Sequence, residues 1–252
     1  MTNSFFMNSY LGKQILSLVR GGDFAHAGEE EAIVIAMAGI PKVRDQSILD
    51  AGCGRGGTAA YMHAHGWGRV TGIDLEPKSI DYANATFPGS TFVRCDIREV
   101  GTALDGMFDV VTLFNVLYAL PDHAQALSAL ASKAKPHARL MIFDYVDPGD
   151  YQAAPIMDTE IPFLPNPPML EGLYETLEKG GWRLSSVEDL KDEYKRWYED
   201  LVARIAANRS GIEKLAGAEI YEHVHGLYSA LLAAVREGRL SGAVIYGQRL
   251  DA

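Results

Sequence analysis

The stretch "DAGCGRGG" (50–57) sets an acidic residue ahead of three glycines spaced G-x-G-x-x-G. A turn of this kind between a strand and a helix lets backbone N–H groups approach a ligand closely, because glycine carries no Cβ. Alone, the pattern does not say which ligand. "SILDA" (47–51) in front of it reads as a short buried strand. "TAAYMHAH" (58–65) behind it reads as a helix, with Thr58 near its N-cap and Gly66 just past its end.

Working outward, strands and helices alternate from about residue 29 to 145. "EEEAIVIAMAGI" (29–40) predicts a helix closed by Gly39 and Pro41. "RVTGIDL" (69–75) predicts a strand, followed by a helix that Pro77 can begin at its first position. "STFVRCD" (90–96), "FDVVTLF" (108–114) and "ARLMIFDYV" (138–146) are rich in β-branched and aromatic residues and predict three more strands. Leu127, Leu130 and Ala134 mark a helix after Asp122. Strands separated by helix-length segments imply βαβ units and a parallel sheet covered on both faces.

The character changes after residue 146. Residues 147–168 hold six of the eleven prolines and predict an irregular segment that could act as a lid. A helix (169–181), a strand ("WRLSSVEDL"), a long helical stretch (190–237) with two apolar stripes, and a closing strand (242–250) follow.

Composition narrows the function classes. The chain has 252 residues, 48% of them hydrophobic and 22% charged, as in ordinary globular proteins. Its longest nearly apolar run, "AIVIAMAGI", is too short to span a bilayer. "MTNSFFMNSY" has no basic n-region, so no secretory signal is expected. Two cysteines, Cys53 and Cys95, make no disulfide framework, and a cytoplasmic setting follows as the expectation. The net charge of −10, without a basic run, argues against nucleic acid or an anionic membrane as partner. A small neutral or cationic molecule fits better.

Three features choose between a dinucleotide and S-adenosylmethionine. Asp50 lies two residues before Gly52, where a carboxylate would repel a pyrophosphate but suits a ligand with an ammonium and a sulfonium. Asp74, 20 residues after Gly54, can bind a ribose diol in either case. Asp96 of "CDI" (95–97) can accept a hydrogen bond from an adenine amino group. Finally, the chain runs on to a seventh strand rather than to a second mononucleotide-binding half.

"ILDAGCGRGG", "GIDL", "CDI", "FDVVTLFNVLYAL" and "LMIFDYV" in this order resemble the successive motifs of class I S-adenosylmethionine-dependent methyltransferases. The resemblance covers residues 30–146 closely and 169–250 by element order. It implies a doubly wound, Rossmann-like α/β fold. The seven strands would run in order 3-2-1-4-5-7-6 with strand 7 antiparallel, and a helical insertion would lie between strands 6 and 7. It implies that Gly52, Gly54 and Gly56, with Cys53 beside them, approach the methionine part. Asp74 with Leu75 would hold the ribose, Asp96 with Ile97 would frame the adenine, and Asn115 or Val116 would touch the methionine end. Residues 1–28 would form a helical cap, and 29–189 with 238–252 the core. Residues 190–237 would form either the roof of an acceptor pocket or a dimer face, in a monomer or homodimer.

The implied activity is methyl transfer to a small-molecule acceptor, amines included, with S-adenosylmethionine as cofactor and no metal. The competing readings are a nicotinamide-dependent oxidoreductase and a non-catalytic S-adenosylmethionine-binding protein. Within the superfamily the chain is most similar to small-molecule N-methyltransferases of the phosphoethanolamine and sarcosine or dimethylglycine types. Tyr10 matches a tyrosine on the N-terminal helix of the phosphobase enzymes, and Tyr145 a tyrosine of their phosphate site. Tyr118 stands where those enzymes have a histidine, and their phosphate-gripping Arg and Tyr are missing. The candidate acceptor pocket is Tyr10, Tyr118, Tyr145 and His26, with Asp144, Asp147 and Asp150 either a negative rim or solvated loop acids. "NPPM" (166–169) is similar to an amide-methyltransferase motif but follows the wrong strand and lacks its aromatic residue. "HAH" (63–65) and "HVH" (223–225) fall on predicted helices, where i,i+2 side chains do not share a face, so neither pair is expected to bind metal.

Overall fold

The computed structural model describes residues 5–250. Its main sheet consists of β1 (Ser47–Ala51), β2 (Arg69–Asp74), β3 (Thr91–Arg94), β4 (Phe108–Phe114), β5 (Ala134–Val146), β6 (Trp182–Asp189) and β7 (Ser241–Arg249). They are ordered β3-β2-β1-β4-β5-β7-β6. β1 to β5 pair in parallel, and β7 is antiparallel to both of its neighbours. This is the order and orientation that the motif sequence implied.

The helices are α1 (Tyr10–Arg20), α2 (Glu29–Ala36), α3 (Gly57–Ala64), α4 (Pro77–Thr86), α5 (Val100–Ala103), α6 (His123–Ala131), α7 (Leu173–Lys179), α8 (Lys191–Ala207), α9 (Arg209–Ala216) and α10 (Ala218–Arg236). Local chemistry sets several starts. The Ser9 hydroxyl accepts from the Gly12 N–H, the Glu76 carboxylate from Ser79 just ahead of Pro77, and the Asp122 carboxylate from Gln125. α2 ends earlier than its apolar pattern suggested, because Met37 to Gly39 turn away from the helix. The helix foreseen over 169–181 begins only at Leu173, behind Gly172 at φ 79°. β5 starts four residues early, since Ala134 already pairs with Phe108 across an irregularity in β4. The stretch 190–237 is three helices, broken at Asn208 and at Gly217, whose φ is 95°.

Strand alternation sends side chains to two separate cores. Ile48, Met141, Phe143 and Val244 pack on one face with α1 to α4 and α8 to α10. Leu49, Leu140, Ile142 and Ile245 pack on the other with α6 and α7. Burial on both faces is why these strands read as near-continuous apolar runs. The proline-rich segment carries a short ribbon in which Met157–Asp158 pairs with Ile161–Pro162. Among the described residues, no helix is long and apolar enough to cross a membrane.

One contact fixes how the helical insertion meets the sheet. Gly242 of β7 lies under the Tyr194 ring of α8, so close that an added Cβ would fall 2.0 Å from it. Tyr194 in turn packs edge-on against Tyr145, whose residue pairs with Gly242 across the sheet. A Gly242→Ala substitution should push α8 outward and destabilise the fold by about 1–3 kcal/mol. Urea unfolding followed by circular dichroism checks this; an unchanged midpoint would mean that α8 does not seat on β7 as described.

Candidate functional site

A cavity of about 330 Å³ opens at the carboxyl ends of the parallel strands. This is where doubly wound sheets bind ligands, at the point where strand order reverses between β1 and β4. Its wall includes Gly52 and Gly54 of the glycine loop, Asp74 to Glu76 after β2, and Cys95 to Ile97 after β3. Beyond the reversal it continues along Phe114 to Val116 and Tyr118 to Leu120 after β4, Tyr145 of β5, Phe163 and Tyr228. Met7, Asn8, Lys13, Leu16 and Ala25 cover it from the N-terminal segment.

The loop's shape follows from its glycines. Gly52 has φ 81°, and an added Cβ there would lie 2.4 Å from Val116. Gly54 has φ 54°, and its Cβ would meet nothing nearer than Ala25 at 3.8 Å, so its backbone faces open space. The Gly52 and Cys53 N–H groups both donate to the Ile73 carbonyl, at 2.7 and 2.8 Å, folding the loop onto β2.

The Asp74 carboxylate accepts from the Gly54 N–H at 2.8 Å and the Glu76 N–H at 2.9 Å, and it pairs with Lys13 at 3.0 Å. Asp96 accepts from the Arg98 backbone and pairs with its guanidinium, which holds the Asp96 carboxyl below the usual carboxylate range. Asn115 adopts φ 52°, a left-handed conformation uncommon outside glycine and tolerated best by Asn and Asp.

Asp50, Gly56, His26 and Tyr10, also singled out from sequence, lie away from the cavity wall. Asp50 is buried behind the glycine loop: the Thr112 hydroxyl donates to its Oδ1 at 3.0 Å, and its Oδ2 has no hydrogen-bond partner among the described residues. Burial raises its carboxyl to about 7, and the nearby Asp74 charge adds to the rise. Gly56 turns under Phe92. His26 is also buried, between Ala27 O at 3.1 Å and Thr58 Oγ1 at 2.9 Å, with the Phe114 ring 4.9 Å away. Desolvation pushes its imidazole down to about 3, so it is neutral. Tyr10 joins a cluster that ties α1 to the loop: the Arg55 guanidinium lies 5.3 Å from its ring and 3.7 Å from that of Tyr82. Asp23 accepts from Arg55, Ser17 and Tyr82 in the same cluster.

Tyr118 and Tyr145 do meet, edge to face at 5.3 Å between ring centres. The Tyr118 hydroxyl donates to Asn8 Oδ1 at 3.2 Å, and the Tyr145 hydroxyl is hydrogen-bonded to that of Tyr198. Asp144 and Asp147 form neither a rim nor a solvated surface, for both are buried. Asp144 Oδ2 accepts the N–H groups of Val116, Leu117 and Tyr118 at 3.0, 2.6 and 3.3 Å, fixing the turn after β4. Asp147 accepts from Gly149, Tyr151 and Gln152. Lys13, Asn8 and Phe163 were not foreseen and carried no signal in the sequence. Tyr228 lies in the stretch 190–237, whose aromatic residues suited the roof of an acceptor pocket as one of its two expected roles.

These residues fit S-adenosylmethionine. Gly54 leaves an open cradle beside a two-oxygen carboxylate at Asp74, and Asp96 with Ile97 stands one strand further on. Comparison with known proteins agrees. Residues 49–142 match the methyltransferase domain family. Trans-aconitate 2-methyltransferase of Escherichia fergusonii is 34% identical over 110 residues, 42% of this chain and 42% of that protein, so the match spans under half of the relative's length. A putative sarcosine dimethylglycine methyltransferase from Galdieria sulphuraria has the same fold, with TM-score 0.80 at 16% identity over 98% of this chain and 100% of that one. So does Haemonchus contortus phosphoethanolamine N-methyltransferase 2, solved with phosphomonomethylethanolamine and S-adenosylhomocysteine. It gives TM-score 0.79 at 17% identity over 95% of this chain and 57% of that one. The sheet order and the glycine loop together give this chain the Rossmann-like fold of class I S-adenosylmethionine-dependent methyltransferases, with residues 49–142 carrying the match to the methyltransferase domain family.

Proposed function

We propose that this protein methylates a small-molecule acceptor by in-line displacement from S-adenosylmethionine. The observation that carries the reading is one continuous cavity, running from carboxylates beyond β2 and β3 to an aromatic wall beyond β4 and β5. The bound cofactor would supply a methyl group on a sulfonium, with a neutral thioether as leaving group.

The chain's own part is to hold and align. Gly52 and Gly54 would receive the methionine part along the backbone, Asp74 the ribose hydroxyls, and Asp96 with Ile97 the adenine. Asn115 and Val116 would meet the methionine end, on a turn that Asp144 keeps rigid through three backbone N–H groups. Asp50 would act from beneath the loop, as a carboxylate that a nearby cation favours. Holding the acceptor in line with the breaking bond can contribute roughly 7–11 kcal/mol of the barrier. Closure by α1, the proline-rich segment and α10 would keep water out, and on this reading the insertion is a roof, since its Tyr228 lines the cavity.

Asp74→Asn should weaken adenosylhomocysteine at least about tenfold in titration calorimetry, as expected when a charged hydrogen-bond acceptor is lost. Lys13→Met, which removes the ammonium sharing that carboxylate, should not weaken it. Full affinity in the Asp74 variant would remove the ribose assignment.

Asp50 gives a pH test. Its folded-state carboxyl titrates near 7, against an ordinary value of 3.8. The folded protein therefore holds this proton more tightly, and the stability so gained is lost as pH rises from about 4 through 7. Asp50→Asn does not titrate, so its stability relative to the parent should rise by about 1–3 kcal/mol between pH 5 and 8. Urea melts at the two pH values measure the difference; a constant offset would contradict the assignment.

A further inference from the structure

The acceptor half of the cavity is lined by Met7, Asn8, Tyr118, Tyr145, Phe163 and Tyr228. Among the described residues these contribute no cation, carboxylate or imidazole. The charged residues of the wall, Lys13, Asp74, Glu76 and Asp96, belong to the cofactor half. Lys13 is committed to Asp74. The neighbouring titratable groups are also accounted for. His26 is enclosed between Thr58 and Ala27, and Asp144 is spent on the turn after β4. His223 pairs with Asp158 at 2.8 Å, away from the cavity wall.

Two classes of acceptor are excluded by this wall. A carboxylate or phosphate would be buried without a counter-charge, which is strongly unfavourable. An alcohol or phenol would have to lose its proton as it reacts, and among the described residues no group here can take it. Burial pushes the hydroxyls of Tyr118 and Tyr145 well above the ordinary phenol value and raises that of Tyr228 to about 12. All three are therefore protonated donors. An alkene would pass both filters but would form a carbocation that needs a base to resolve it. A neutral amine passes with no such need, because its lone pair is already free.

Building on the methyl-transfer reading, we propose that the acceptor is an uncharged amine with an apolar body and no acidic group, and that the aromatic wall of Tyr118, Tyr145 and Tyr228 stabilises the ammonium formed. In the reaction the nitrogen lone pair forms the new N–C bond as the S–C bond breaks. The S–C electron pair goes to sulfur, leaving a thioether, so one positive charge passes from sulfur to nitrogen. A primary or secondary amine afterwards loses a proton to water, while a tertiary amine keeps its charge as a quaternary ammonium. Ring faces attract such a cation without binding its hydration shell. The rings form a packed set: Tyr228 lies 6.4 Å from Tyr198 and 5.8 Å from Phe163, and Tyr145 is 6.2 Å from Tyr198.

The test uses the full chain saturated with adenosylhomocysteine, titrated with three molecules of matched shape. They are choline, its uncharged isostere 3,3-dimethylbutan-1-ol, and the anion 3,3-dimethylbutanoate. Choline should bind at least about fivefold more tightly than the alcohol, with no heat from the butanoate. Tyr118→Leu and Tyr228→Leu should remove the preference for the cation, and the corresponding Phe variants, which keep the ring, should retain it. Equal binding of choline and the alcohol, tighter binding of the anion, or no choline binding to the loaded protein overturns the amine assignment while leaving methyl transfer standing. Failure of adenosylhomocysteine itself to bind overturns the methyl-transfer reading, and this inference with it.

Discussion

The carboxylate of Asp74 joins three parts of the chain: the glycine loop through the Gly54 N–H, the turn after β2 through the Glu76 N–H, and α1 through Lys13. Both of its oxygens are engaged, and its side chain is only 11% exposed. In such a setting an ion pair is screened little by water, so it can hold the cap on the core. The same two oxygens are what a ribose diol would address. On the proposed reading Lys13 and a bound nucleoside would compete for one group, and cofactor entry would be coupled to the seating of α1. The Asp23 cluster supports the same joint from the other end of that helix, through Arg55 on the loop and Tyr82 on α4.

A second constraint lies beyond β4. Asp144 spends one oxygen on three successive backbone N–H groups, which fixes a turn that would otherwise leave buried donors unpaired. That turn carries Asn115, Val116 and Tyr118. The two sides of the cavity, which would be the cofactor and acceptor halves on the proposed reading, thus each depend on one carboxylate, Asp74 on the first and Asp144 on the second. Asp74 reaches the cavity wall and Asp144 does not.

Much of this was legible in the sequence, for definite reasons. Strands buried on both faces write themselves as runs such as "LMIFDYV", and a glycine loop with acids after the next two strands orders them. The pairing partners of single side chains were not legible. Asp144, Asp147 and Asp150 look alike as spaced acids in a chain, yet the first two collect backbone donors from residues up to 28 positions away. Tyr10 and His26 have the right residue types for an acceptor pocket but are drawn into the Arg55 cluster and the aromatic core. The breaks at Asn208 and Gly217 were masked by apolar stripes that continue on either side of them.

The sheet itself arranges the chemistry from one side to the other. From β3 to β5 is four strand spacings, about 19 Å. Along that line the wall passes from Asp96 and Asp74 to Gly52, then to Asn115 and Val116, then to Tyr145. Carboxylates suited to hydroxyl and amino groups stand at one end, and neutral rings suited to a cation at the other. Between them Gly52 meets Val116, a contact that admits no Cβ on the loop side. The reversal of strand order puts this contact between β1 and β4, where the two halves of the cavity join. A positive charge that moves from sulfur to nitrogen would cross there, leaving the side rich in carboxylates and arriving among aromatic rings. The wall would then hold the charge at its destination by polarity alone, with no acid or base changing its protonation state.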